Sequence, residues 1–151
     1  MTTTVKGVEG IRGLAGQHLG YSEWHTVDQA QIDRFADATG DRQWIHVDPE
    51  RAKDGPFGTT IAHGYLTLAL APVYLPEIFM AEDVTMGVNY GCNKVRFPAP
   101  VPVDSALRLG ALVVEVTDVK GGVQVVLDIT LECQGAAKPS CVAQVVYRFY
   151  A

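Results

Sequence analysis

The 151-residue sequence has no long apolar segment, few cysteines and no strongly basic stretch. Its most hydrophobic run, Tyr65–Ala71, is far shorter than the ~20 residues that a membrane-spanning helix needs, so we expect a buried helix there and no membrane association. The first ten residues lack the apolar core of a secretory signal, and we expect a cytoplasmic protein. A net charge of −5 argues against nucleic-acid binding as the main role.

Cysteine and metal-ligand patterns are also sparse. The three cysteines, Cys92, Cys133 and Cys141, show no CxxC spacing, and we expect small buried thiols in a reducing compartment. A weak His-x-Asp pattern at His46 and a distant His63 are the remaining metal candidates. Since no further ligand follows at a suitable spacing, we predict no metal. Neither a P-loop nor GxSxG occurs, and we expect no bound cofactor.

What is present is the composition of one globular domain. Hydrophobic residues make up 48% of the chain and charged residues 19%, which excludes a disordered protein. We predict a single domain over residues 1–151. Residues 1–20 are rich in glycine and threonine with only a weak apolar pattern, and they are predicted to form a loosely ordered N-terminal arm.

A helix and a polar segment follow the arm and a short strand predicted at 21–25. Thr26, with Gln29 three residues later, matches a capping box and predicts the helix start. Gly40 is typical of a helix end, so the side chain after it leaves the helix axis. Residues 42–47 are predicted to be irregular. Asp48 followed by a proline then indicates the N-cap of a short helix over 49–53.

A second helix is predicted from about Gly64 to Leu75, with a kink or early stop at Pro72. Its side chains are apolar on every face, which predicts a helix enclosed on most sides. After residue 84 the apolar period changes to two, as in strands. One apolar helix and a curved antiparallel sheet can bury each other, so we predict an α+β fold in which the sheet wraps the helix.

The densest polar stretch carries a family resemblance. It contains the runs Ala38-Thr-Gly-Asp41, Ile45-His46-Val-Asp48, Gly55-Pro-Phe-Gly58 and Ile61-Ala-His-Gly64, and residues 93–102 add NKVRFPAPVP. These runs resemble the signature of MaoC-type (R)-specific enoyl-CoA hydratases, especially short single-domain actinobacterial members and NodN-like proteins. The resemblance covers most of the chain. It implies the hot-dog fold, a homodimer and reversible addition of water to the 2-trans double bond of an acyl-CoA.

The resemblance also implies roles for three residues. Asp41 and His46 match the catalytic pair, and Gly64 matches the residue whose backbone N–H faces the thioester carbonyl. These roles suit the chemistry, because a histidine can deprotonate water near neutral pH and a free N–H can stabilise charge on the oxygen. Which of Asp41 and His46 protonates C2 stays open. Each residue taken alone also suits a structural role. Asp41 suits an ordinary solvated turn residue, His46 a half-buried histidine with its hydrogen bonds satisfied, and Gly64 a close-packing glycine at a helix start.

Further residues are predicted to support the site or bind substrate. Gln43 and His63 are expected to support the catalytic pair. The family commonly has Asn-Pro where this chain has Gln43-Trp44, which bears on the substrate range. Trp44 and Tyr65 are candidates for the acyl tunnel. Lys94 and Arg96 are candidates for the coenzyme A phosphates, although each also suits an outward strand position.

Two other functions fit the same fold. An acyl-CoA thioesterase would use the same oxyanion site, and a non-catalytic partner subunit would need neither catalytic side chain. The Asp-x4-His spacing favours hydration over both. Acyl chain length, pathway and the choice between coenzyme A and acyl carrier protein are left open by the sequence.

Overall fold

A computed structural model describes residues 1–151, with short helices and strands in the first half and long strands in the second. The helices are α1 (Gly7–Arg12), α2 (Gln29–Thr39), α3 (Trp44–Val47), α4 (Pro49–Ala52), α5 (Gly64–Ala69) and α6 (Ala71–Tyr74), with a 3-10 turn at Leu75–Glu77. The strands are β1 (Thr3–Lys6), β2 (His18–Tyr21), β3 (His25–Val27), β4 (Phe79–Glu82), β5 (Met86–Arg96), β6 (Ser105–Val119), β7 (Gly122–Cys133) and β8 (Cys141–Tyr150).

Six strands form one antiparallel sheet in the order β2-β6-β7-β8-β5, with β3 also paired to β6. Alternation fixes which face is buried: Val123, Leu127, Ile129 and Leu131 of β7 are buried while Asp128 is exposed. The turn between β6 and β7 places Gly121 at a φ of 83°, a conformation that favours glycine. The sheet therefore presents one apolar face to the helices.

The central helix is confirmed but is broken where the prolines occur. α5 ends at Ala69, and Pro72 lies in the first turn of α6. Leu66, Leu70 and Tyr74 are buried against the sheet, so the predicted wrapping of the helix is confirmed. The predicted enclosure on most sides was wrong, because Tyr65 is 74% exposed and Val73 is 61% exposed. No helix has the length and apolarity to cross a membrane.

The N-terminal residues belong to the folded domain, which corrects the prediction of a loose arm over residues 1–20. Strand β1 pairs in parallel with β4, and Ile11 of α1 is completely buried. Leu14 and Leu19 join the same core. The apolar pattern of Ile11, Leu14 and Leu19 is too short to predict a helix from the sequence. In the folded chain, burial of these three large side chains outweighs the low helix propensity of the neighbouring glycines.

Four other local predictions need correction. Helix α2 is capped by Asp28, whose carboxylate accepts a hydrogen bond from the Gln31 N–H. The predicted cap, Thr26, lies in β3. Residues 44–47 form the helical turn α3 where irregular backbone was predicted, and the predicted strand at 21–25 is split between β2 and β3. Cys92 is exposed on β5, whereas Cys133 and Cys141 are buried as expected. The end of α2 at Gly40 and the Asp48 cap of α4 are confirmed.

Candidate active site

Three separate segments bring Asp41, His46 and His63 together. Asp41 follows the end of α2, His46 lies in α3, and His63 immediately precedes α5. Each side chain offers a polar atom within 4.8 Å of those of the other two. The two histidines are buried and the aspartate is exposed, so the cluster has one open side. The predicted catalytic pair is therefore assembled, together with the predicted supporting His63.

The ring of His46 has a defined tautomer. Its Nδ1 lies 2.7 Å from the carbonyl oxygen of Ile61. A carbonyl can only accept, so Nδ1 carries the hydrogen and Nε2 keeps a free lone pair. Burial lowers the pKa of His46, opposed by the hydrogen bond to Ile61 and assisted by the neighbouring His63. His46 is thus a neutral imidazole at neutral pH, with one nitrogen available as a base.

His63 contacts both residues of the predicted catalytic pair. Its Nε2 lies 2.9 Å from the backbone carbonyl of Asp41, and by the same argument Nε2 is the protonated nitrogen. Its ring stacks on His46, with centroids 3.9 Å apart and planes inclined by 22°. Phe35 closes the other side at 4.8 Å between ring centroids. The remaining atom, Nδ1, is buried without a hydrogen-bond partner.

Asp41 is held by its backbone while its carboxylate stays accessible. Gly40 turns the chain out of α2 with a φ of 86°, a conformation that glycine adopts without strain. The Asp41 N–H bonds the Thr39 hydroxyl at 3.3 Å, and His63 holds the Asp41 carbonyl. Its carboxylate accepts a long hydrogen bond of 3.4 Å from the Gln43 N–H. The acid is therefore placed beside His46 without an ion pair that would occupy it.

Gly64 is the first residue of α5, so its N–H has no partner within that helix. Its backbone approaches an aromatic ring closely: a Cβ added at Gly64 would lie 3.0 Å from Cδ2 of Phe97. Phe97 and Phe57, which the sequence reasoning missed, line a cavity of about 290 Å³ that includes Gly64 and Thr67. Both phenylalanines lie within the motif runs, in Gly55-Pro-Phe-Gly58 and in NKVRFPAPVP, but the sequence does not show that these two runs meet at one cavity.

The other predicted residues occupy varied positions. Gln43 precedes α3 and accepts from the His46 N–H through its backbone carbonyl, while its side chain makes no capping bond. The Trp44 ring is covered by the Arg51 guanidinium at 4.3 Å, and a Cβ added at Gly55 would lie 2.9 Å from the same ring. Trp44 therefore packs on α4 and the loop after it.

Tyr65 is exposed and contacts Phe97 edge-on, with centroids 6.3 Å apart. Lys94 lines a depression with His18 and Asp128 on the outer face of the sheet. Arg96 is exposed near the end of β5 and donates to the neighbouring Val95 carbonyl. Neither cation is hydrogen-bonded to the Asp41, His46 and His63 cluster, and their substrate-binding role stays a prediction.

The fit of a metal to the cluster can be judged from the two rings. Metal-bound imidazoles commonly donate their second nitrogen to a carbonyl, as both histidines do here. However, a lone pair lies in the plane of its ring, and the two planes are stacked at an inclination of 22°. Two lone pairs that lie in nearly parallel planes do not converge well on one ion with tetrahedral coordination. The geometry suits proton transfer better than metal coordination.

Comparison with known proteins gives a consistent family. The model for the MaoC like domain matches residues 11–133. The chain is 50% identical to 3-hydroxyacyl-thioester dehydratase Z from Mycobacterium tuberculosis over 149 residues, covering 98% of this chain and 99% of that protein. It is 46% identical to nodulation protein N from Rhizobium leguminosarum bv. viciae over 135 residues, covering 85% and 81% of the two chains.

The fold is shared with a solved R-hydratase from Pseudomonas aeruginosa. The two chains superpose with a TM-score of 0.72 at 21% identity, over 93% of this chain and 83% of the other. The wrapped antiparallel sheet is therefore the predicted hot-dog fold, and the resemblance drawn from the polar motifs is confirmed.

Proposed function

Because the chain belongs to the MaoC-like dehydratase family, we propose that it is an (R)-specific enoyl-CoA hydratase. It adds water across the 2-trans double bond of an acyl thioester and, in reverse, dehydrates a 3-hydroxyacyl thioester. The observation that carries this proposal is the free Nε2 of a neutral, buried His46 next to the accessible carboxylate of Asp41. A base and an acid group side by side are what hydration of an activated double bond requires.

In the proposed reaction, water attacks C3 while His46 removes one of its protons. The Asp41 carboxylate orients the same water by accepting a hydrogen bond. The proton removed from water is then transferred to C2, either directly from protonated His46 or by way of the Asp41 carboxylate, so that the C2–H bond completes the addition and both side chains return to their starting states. The Gly64 N–H donates to the thioester oxygen, where negative charge builds as the C3–O bond forms. His63 acts through its contacts with both catalytic residues.

The direct test follows the loss of the enoyl thioester absorbance with crotonyl-CoA and longer enoyl-CoA substrates. Chiral analysis of the product checks the (R) configuration. We expect turnover by the wild type and its loss in Asp41→Asn and His46→Gln. Matched controls are Asp54→Asn and His18→Gln, which change exposed residues of the same types outside the cluster. Wild-type inactivity on every chain length, or release of free thiol from saturated acyl-CoA, would contradict the proposal.

The proposed assembly is a homodimer. Strand β5 lies at the edge of the sheet and exposes Met86 and Tyr90, and an unpaired strand edge is a ready surface for another strand. Tyr65 and Val73 of the central helix and Met80 of β4 are further exposed apolar side chains. Pairing two β5 edges would cover both features in a symmetric contact. Light scattering after size-exclusion chromatography should give twice the chain mass, and Tyr90→Asp should give the monomer mass.

The proposal also covers the setting and the substrate contacts. We place the enzyme in the cytoplasm and in fatty acid metabolism, acting without a bound cofactor on a thioester carried by coenzyme A. Substrate contacts are assigned to Trp44 and Tyr65 for the acyl part and to Lys94 and Arg96 for the phosphates. Substitution of both cations by glutamine should then raise KM for the coenzyme A ester and leave kcat unchanged.

A further inference from the structure

The side-chain amide of Gln29 joins three parts of the chain around His46. Its Nε2 donates to the backbone carbonyl of His46 at 2.8 Å and to the Asp33 carboxylate at 2.9 Å. Its Oε1 accepts from the Thr60 hydroxyl at 2.6 Å. Both N–H groups and the oxygen of one amide are therefore used, and two of the three bonds reach segments outside α2.

The Thr60 end of this bridge is firmly anchored. Thr60 is only 1% exposed, and its carbonyl accepts from the Val103 N–H at 2.9 Å. The next residue, Ile61, donates to the Ile45 carbonyl at 3.0 Å and accepts from the His46 ring at 2.7 Å. Gln29 thus connects the backbone of His46 to the same segment that fixes the tautomer of its ring.

The turn that holds His46 has little stability of its own. Helix α3 has four residues and no side-chain cap, and so short a helix depends on tertiary contacts. Gln29 is not needed as the N-cap of its own helix, because Asp28 already accepts from the Gln31 N–H. The Gln29 amide is therefore available to the His46 turn, and its loss would leave the His46 carbonyl without this donor.

We propose that Gln29 is a positioning residue for His46, acting with Thr60 to fix the direction of the free Nε2 lone pair. This inference rests on the proposed function only in assigning His46 as the base. The amide touches neither substrate nor reacting atoms. Its effect is to hold the α3 backbone against the segment of Ile61, so that the short Nδ1–H bond is kept. Misplacement of a catalytic group by about 1 Å can cost roughly 100-fold in rate.

The test compares Gln29→Met with Gln31→Met. Both change a glutamine of α2 to a side chain of similar length, but only the Gln29 side chain bonds the His46 turn. We expect Gln29→Met to lower kcat by about 10- to 100-fold with KM within about twofold, whereas Gln31→Met stays at the wild-type values. Thr60→Val should reproduce part of the loss, and Thr60→Ser, which keeps the hydroxyl, should restore it.

A spectroscopic measurement separates this inference from the proposed function. Nitrogen chemical shifts of His46 report its tautomer without any turnover. We expect a single Nδ1–H tautomer in the wild type and in Gln31→Met, and a mixture of the two tautomers in Gln29→Met. An unchanged tautomer together with wild-type kcat in Gln29→Met would overturn the positioning role. Inactivity of the wild type with the tautomer shift present would overturn the hydratase proposal alone.

Discussion

Replacing Gly64 by alanine tests whether the close approach of Phe97 shapes the proposed oxyanion site. The added Cβ would lie 3.0, 3.1 and 3.2 Å from Cδ2, Cε2 and Cγ of the Phe97 ring. Carbon atoms in favourable contact are about 3.5–4.0 Å apart, so the ring must move by several tenths of an ångström. Gly64 does not have a positive φ, and alanine itself fits the backbone.

Two opposing terms set the effect on stability. Alanine in a helix is favoured over glycine by roughly 0.5–1 kcal/mol. Overpacking costs about 1–3 kcal/mol, and the low end applies here because the 42% exposed Phe97 ring can turn into solvent. The free energy of unfolding should therefore change by less than about 2 kcal/mol. Activity should respond more strongly, since the added methyl group and the movement of the Phe97 ring both change the cavity at the Gly64 N–H.

The assay is a double-mutant cycle in kcat/KM with Phe97→Ala. We expect Gly64→Ala to lose about 10- to 100-fold, equivalent to about 1.4–2.7 kcal/mol of barrier. Introducing Gly64→Ala into the Phe97→Ala variant should lower kcat/KM far less, because the ring that the added methyl group would meet is absent. Equal losses in the two backgrounds would refute the steric reasoning and indicate direct loss of the N–H contact. Thermal unfolding of each variant checks that the fold is retained.

Further expectations concern pH, the core and the N-terminus. Burial lowers the pKa of His46, so kcat/KM should fall on the acid side with a midpoint below 6.5, which pH–rate profiles measure. The folded state should also lose stability as the pH falls from 6.5 to the lowered pKa of His46, because the unfolded chain binds the proton more readily. Denaturation at several pH values measures this loss. Ile129→Ala in the buried face of β7 should cost about 2–5 kcal/mol of unfolding free energy by urea titration. Deleting residues 1–13 should lower the Tm, because Ile11 is lost from the core, whereas Val114→Ala at an exposed position should not.

The sequence predicts the sheet and the central helix because their patterns are long. Strand β7 alternates over twelve residues, and local periodicity of that length outweighs any single misleading residue. The N-terminal segment has no such length. Its strand β1 exists because β4 lies beside it, and a pairing across more than 70 residues leaves no local trace. Likewise, Asp28 and Thr26 are both acceptable caps by residue type, and only the pairing of β3 with β6 assigns Thr26 to a strand.

In the candidate site, too, some features can be predicted from local sequence and others depend on long-range contacts. The roles predicted for Asp41, His46 and Gly64 rest on a family resemblance carried by short local runs of sequence, and these can be recognised without the fold. The tautomer of His46 cannot, since it depends on the Ile61 carbonyl. The stacking of His63 depends on where α5 begins relative to α3. Sequence motifs therefore specify which groups are present, while long-range contacts decide which nitrogen of a ring is free to react.

The contacts that select the tautomers of the two histidines come from backbone carbonyls. Asp41 contributes the only carboxylate of the cluster and stays exposed. One ring nitrogen of each imidazole is bonded to a backbone oxygen, that of Ile61 for His46 and that of Asp41 for His63. A backbone carbonyl cannot titrate, so the lone pair it sets on the opposite nitrogen persists at any pH where the ring is neutral. Changes at Gln29 or Thr60, whose side chains connect the His46 backbone to the segment of Ile61, should consequently damage catalysis without altering any titratable group.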